Sequence, residues 1–213
     1  HRQSSAASDV YKRQRLGSLI KLHIDDEFDD YEVVKEFYLQ GGIETPAVYS
    51  NTEVANSEKK RFLQIGARFY ENETEKFAVV CTVDDYDYDE RITIMTTEEG
   101  RGLELLQRLE DGFYDKGVLK NAFFDMEYNF VSRNEMVDTL IAWNDDIKKQ
   151  LDKDVIEFLK IMPMLKQKGL PNSRGIILSG PPGTGKTMMA KSLAAQANVT
   201  TILISAEMIQ GPS

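Results

Sequence analysis

The sequence predicts a small α+β domain over residues 16–131, followed over 132–213 by the start of an α/β unit with a parallel sheet. Three observations carry this. In the first part, runs of strictly alternating apolar residues mix with runs of three- to four-residue apolar spacing, with no repeat. In the second, the continuous apolar run Gly175-Ile176-Ile177-Leu178 leads into a glycine-rich loop, a run of good helix formers and a second apolar run at 200–204. The length, 213 residues at 41% hydrophobic content, gives room for one or two packed domains.

Residues 1–15 stand apart. They begin without Met, are rich in Ser and Ala, and show no apolar period before Leu16. The string SSAASDVYKRQ resembles translated adaptor sequence at the head of metagenomic fragments, so this segment is read as a non-native leader and left out of the fold. The rest is acidic, since the formal net charge of the chain is −9. No basic stripe is available to neutralise a nucleic-acid backbone, which disfavours direct DNA or RNA binding. The single cysteine, Cys81, has no internal disulfide partner and no metal-ligand spacing around it. It reads as a small buried hydrophobe in a chain from a reducing, cytoplasmic compartment. No apolar run reaches the ~18 residues of a membrane span.

Phe28, Tyr31, Val34 and Tyr38 recur every three or four residues, which predicts a helix over 25–40 that Gly41-Gly42 stops. Phe62, Ile65 and Phe69 predict a second helix over 57–70, with Ser57 as its cap. The β-rich runs 77–83 and 91–96 flank an acidic stretch, 84–90, that reads as a solvated hairpin loop. That loop lacks the glycine and closing glutamate of a helix-loop-helix calcium site. Leu103, Leu106, Leu109 and Phe113 predict a third helix over 97–114, capped by Thr97. Strict alternation from Phe124 to Phe130 predicts a half-buried strand. No catalytic or metal motif falls in this domain, and His23 reads as a packing or surface residue. From Asp145 a long helix follows, with Ile147, Leu151, Val155, Phe158 and Met162 on one face and Pro163 at its end or kink.

The chemistry lies in Gly180-Pro181-Pro182-Gly183-Thr184-Gly185-Lys186-Thr187. Holding a triphosphate takes converging backbone N–H groups, a cation that reaches the oxygens and a hydroxyl for Mg²⁺. The three glycines permit the tight backbone path. Lys186 supplies charge at the β- and γ-phosphates, Thr187 supplies the Mg²⁺ ligand, and Met188 follows in the first helical turn. That turn directs its partial positive charge at the same anion. The minimal pattern G-x-x-x-x-G-K-[ST] arises by chance in about one chain in a hundred of this length, and a preceding apolar run with a following helix makes chance rarer. The unit is thus expected to be an α/β P-loop NTPase that binds ATP and Mg²⁺. A P-loop kinase or a nucleic-acid motor is the alternative of another class. A nucleotide-binding module without turnover is a third reading.

The string from Arg174 to Thr187 is similar to the phosphate loop of AAA+ ATPases, above all the AAA group of proteasomal ATPases and membrane-protease unfoldases. The paired prolines distinguish it from small P-loop kinases and GTPases. Upstream, Trp143-Asn144-Asp145-Asp146-Ile147, Val155-Ile156-Glu157-Phe158-Leu159 and Gly169-Leu170-Pro171 resemble the subgroup of the mitochondrial respiratory-complex chaperone. The resemblance covers residues 139–213. It implies a homo-hexameric ring, ATP bound between subunits, and hydrolysis coupled to remodelling or unfolding a protein substrate, with backbone at 138–143 beside the adenine. It also implies an acidic pair, sensor residues, an arginine finger and a helical lid. No apolar strand ending in two acids follows Thr187, and Glu207 does not fit the catalytic base, so the ATPase module is expected to be incomplete in this chain and its catalytic residues are unassigned.

Overall fold

The computed structural model describes residues 2–84, 86, 89–132 and 144–205, with side chains from residue 15 onward. The chain divides into two compact units, one of residues 1–130 and 202–213, the other of residues 131–201.

The first unit is an antiparallel sheet with two helices on one face. Helix α1 (Arg2–Glu27) is followed by β1 (Glu32–Gln40), β2 (Ile43–Thr45), β3 (Val48–Val54), β4 (Glu58–Glu71), β5 (Lys76–Val83) and β6 (Glu90–Thr96), then helix α2 (Arg101–Lys116) and the short β7 (Phe123–Asp125). The strand order is β2-β1-β4-β5-β6, and β3 pairs with the first half of β4 beyond the end of β1. Helices α1 and α2 pack on each other and on β4 and β6. Between them lies a core that includes Ile24, Phe28, Tyr70, Phe77, Val79 and Leu109. Each such fully buried side chain contributes about 1.5–3 kcal/mol relative to exposure. Phe28 sits at its centre, with ring centroids 5.7 Å from Tyr70 and 5.0 Å from Phe77.

Two predicted helices are strands. The apolar spacing at 25–40 is carried by the end of α1, the turn containing Phe28 and Tyr31, and then β1; the spacing at 57–70 belongs to β4. The reason is a register shift in each ladder. The β3–β4 pairing moves from Val48↔Ile65 to Tyr49↔Leu63, leaving Gln64 as an extra residue, and the β1–β4 pairing jumps between Val33 and Lys35. A bulge reverses which parity of residue faces the core, so an alternating pattern reads as one of three or four. Ser57 caps nothing; it ends a 3₁₀ turn (Ala55–Ser57) at positive φ. Thr97 is likewise not a cap, because α2 starts after Gly100, whose φ is +83°. The buried face of α2 is Leu105, Leu109, Gly112 and Phe113, while Leu103 and Leu106 point outward. The run 124–130 folds back at Tyr128, so that Phe124 bridges Phe130.

Charge enters this core in compensated form. The Lys21 side chain is fully buried, and its Nζ donates to the Gln64 and Thr82 carbonyls at 2.8 and 3.0 Å and pairs with Glu90. Arg68 on β4 donates to Glu36 at 2.7 Å and to the Tyr49 hydroxyl at 2.7 Å, and pairs with Asp25. Cys81 is buried, and burial pushes its thiol up to about 11. His23 is a packing residue: it lies between α1 and α2, 6.0 Å from the Phe113 ring and 3.4 Å from Glu27. On the sheet face away from the helices, Phe37, Phe69, Val80 and Met95 line an apolar groove of about 660 Å³.

The second unit is built on one continuous helical rod. Helix α3 (Asp145–Leu151) runs into a π-helical segment (Asp152–Glu157) and on into α4 (Phe158–Gln167), with Pro163 inside α4 rather than at its end. Asn144 starts the rod, its side chain accepting from the Asp146 and Ile147 amides. At the other end Gly169, at φ +66°, donates to the Lys166 carbonyl and Leu170 to the Leu165 carbonyl. Helix α5 (Lys186–Gln196) packs against the π-helical segment. The predicted buried strand at 175–178 is not formed: the segment carries no sheet pairing, and Ile177 is 93% exposed. A parallel strand needs a neighbour for its backbone groups, and among the described residues nothing pairs with this run. The second apolar run does become a strand, β8 (Thr201–Leu203), which from Ile202 onward belongs to the first unit.

Candidate functional site

The glycine loop joins the lead-in segment to α5 within the second unit. Gly180, Gly183 and Gly185 have φ of +156°, +77° and +81°. A side chain at Gly183 or Gly185 would meet no atom within 4 Å, so the positive φ alone requires glycine there. Gly185 is also the N-cap of α5. It offers no side chain to the first-turn amides, and that turn carries no acidic residue. The backbone N–H groups at the start of α5 therefore keep their hydrogen-bonding capacity and the positive end of the helix dipole.

Lys186 turns back over the loop. Its Nζ donates to the Gly180 carbonyl at 2.8 Å and the Pro181 carbonyl at 2.6 Å, with the Thr184 hydroxyl at 3.4 Å. Thr184 Oγ1 donates to the Pro181 carbonyl at 2.9 Å, which closes the loop on itself. No carboxylate pairs with Lys186 among the described residues. Thr187 and Met188 are exposed on the first turn of α5. The predicted residues from Gly180 to Met188 are thus contiguous around one cation and one uncapped helix start. This donor set suits an anion with several oxygens.

Residues 138–143, expected beside the adenine, and Glu207 lie outside the described residues. One contact was not anticipated from the sequence. Arg174 Nη1 donates to the Asp154 carbonyl at 3.0 Å and to Asp154 Oδ1 at 3.1 Å, and its guanidinium lies 5.1 Å from the centroid of the Phe158 ring. Only the charge of Arg174 and its place ahead of the loop were visible, because a π turn has no sequence signature of its own.

Comparison with known proteins adds a family match. Residues 176–212 match the family described as ATPase family associated with various cellular activities (AAA). Spastin from Rattus norvegicus is 40% identical over 99 residues, which cover 43% of this chain and 17% of spastin. The ATP-dependent zinc metalloprotease FtsH of Metamycoplasma arthritidis is 42% identical over 66 residues, 31% of this chain and 9% of that protein. The ATP-dependent zinc metalloprotease FtsH 1 of Symbiobacterium thermophilum is 46% identical over 59 residues, 28% of this chain and 10% of that protein. The chain thus spans a small part of the relatives it matches. These similarities support an AAA-type ATPase, with the P-loop NTPase fold that the family implies. No helix among the described residues is long and apolar enough to cross a membrane.

Proposed function

We propose that this chain binds ATP through residues 180–188 as part of an AAA+ ATPase that remodels or unfolds a protein. The observation that carries the reading is Lys186 held, among the described residues, by neutral loop oxygens beside an uncapped helix start. A phosphate arriving there exchanges weak carbonyl contacts for charge-assisted hydrogen bonds. In this reading the 183–187 backbone amides and Lys186 hold the β- and γ-phosphates, and Thr187 Oγ1 ligates Mg²⁺. The bound Mg²⁺ supplies neutralisation of charge on the phosphate oxygens. The match of 176–212 to the AAA family, and relatives whose names include ATP dependence, support the nucleotide and the superfamily.

The intact protein is then a homo-hexamer acting on a protein substrate, and 16–131 is its recognition domain ahead of the ATPase part at 132–213. Within the superfamily, the lead-in residues Val155 to Leu159 and Gly169 to Pro171 favour the subgroup of the respiratory-complex chaperone. The test is phosphate dependence. ATP and ADP, each with Mg²⁺, bind the chain, and AMP does not. Equal binding of AMP and ATP contradicts a site built on the β- and γ-phosphates.

A further inference from the structure

The phosphate loop has two arms, and both rest on the π-helical segment 152–157. The C-terminal arm is α5, which packs directly against that segment. The N-terminal arm is the lead-in 171–179, which belongs to no helix or strand. After the Leu170 amide bonds to Leu165, no backbone hydrogen bond of 171–179 is found among the described residues; the chain turns at 182–183, and Met189 donates to Gly185 at 2.8 Å. Among the described residues, Arg174 makes the hydrogen bonds that join the lead-in to the rod. It uses one nitrogen for both the carbonyl and the carboxylate of Asp154, while its plane lies against Phe158. A π turn spaces its hydrogen bonds five residues apart, unlike the α-helical turns on either side, and it is within this segment that Arg174 meets the Asp154 carbonyl.

We propose that Arg174 is a positioning residue for the phosphate loop, tying the lead-in to the same π turn that seats α5 and so fixing the distance between the two arms. This rests on the reading of residues 180–188 as a phosphate site. Arg174 touches no phosphate itself. Its effect on a ligand comes from the ordering of the loop before binding, because a loop held open in its bound form loses less entropy on binding. The pair is partly exposed, with side chains 44% and 37% accessible at Arg174 and Asp154. The effect is therefore modest, about two- to five-fold in affinity, the range of exposed ion pairs.

The experiment measures Mg-ADP affinity by calorimetry and amide hydrogen exchange at 175–180, on the full chain, for the natural sequence, Arg174→Ala, Arg174→Lys, Asp154→Ala and the double alanine variant. Arg174→Ala weakens Mg-ADP about two- to five-fold and speeds exchange at 175–180, with the melting temperature unchanged. Arg174→Lys, which keeps a donor but loses the planar contact with Phe158, falls between. Asp154→Ala has a smaller effect because the carbonyl acceptor remains, and it is less than additive with Arg174→Ala, the signature of groups that touch. Unchanged exchange at 175–180 in Arg174→Ala overturns the inference, as does full additivity of the two alanine changes. A chain in which Lys186→Ala binds Mg-ADP as well as the natural sequence fails the phosphate reading instead. The exchange measurement still decides the role of Arg174 in that case, since it needs no ligand.

Discussion

Lys186 donates a 2.8 Å hydrogen bond to the carbonyl of Gly180, the residue that opens its own loop. The cation and the backbone turn are thus one structure, and the path of the loop decides where the charge sits. Gly180 to Lys186 holds that path by three positive φ values rather than by packing.

It follows that Gly185→Ala damages the loop through the backbone alone. The new Cβ has open space, but φ at +81° costs an L-residue about 1–2 kcal/mol. The loop relaxes away from the start of α5, and Mg-ADP affinity falls by about ten-fold or less, with the far-ultraviolet circular dichroism unchanged. Unaltered affinity would show that the Gly185 conformation is not required.

In the first unit, Phe28→Ala removes a ring that is 1% exposed and packed on Tyr31, Tyr70 and Phe77. The expected loss is about 3–5 kcal/mol in urea denaturation. A loss below ~1 kcal/mol would mean that the helix face and the sheet do not share this core.

How far the sequence disclosed these two regions differs for physical reasons. The turn from Gly180 to Lys186 was legible because the glycines that its positive φ values require are all local in the chain, and its phosphate role is the proposal made above. Legible too were β5, β6 and the existence of α2, although its buried face is Leu105, Leu109, Gly112 and Phe113 rather than the stripe that begins at Leu103. Strand β4 was misread because its core-facing residues after the bulge are Gly66, Arg68 and Tyr70, of which the first two are not apolar. Arg68 is tolerated there through Glu36, Asp25 and the Tyr49 hydroxyl, which come from β1, α1 and β3, and no local pattern announces such partners. The run 175–178 shows the reverse case. It has a strand's composition, but nothing among the described residues pairs with it.

Glu75 provides a pH signature. Hydrogen bonds from Arg101 hold its carboxyl down to about 2, from an ordinary value of 4.5, with the Tyr31 hydroxyl also donating. Because the folded value is the lower one, the stabilisation is complete above about 4.5 and is lost as pH falls toward 2. Urea denaturation should find the natural chain more stable than Glu75→Gln at pH 7, with the difference shrinking between those two pH values. A difference independent of pH would contradict the pairing with Arg101.

The central claim is that Lys186 binds phosphate, and calorimetry of Mg-ATP against the natural chain and Lys186→Ala tests it most directly. Removing one side of a desolvated charge pair costs about 2–5 kcal/mol, or roughly 30- to several-thousand-fold in affinity. The account predicts a loss in that range, and equal affinity in the two chains would contradict it.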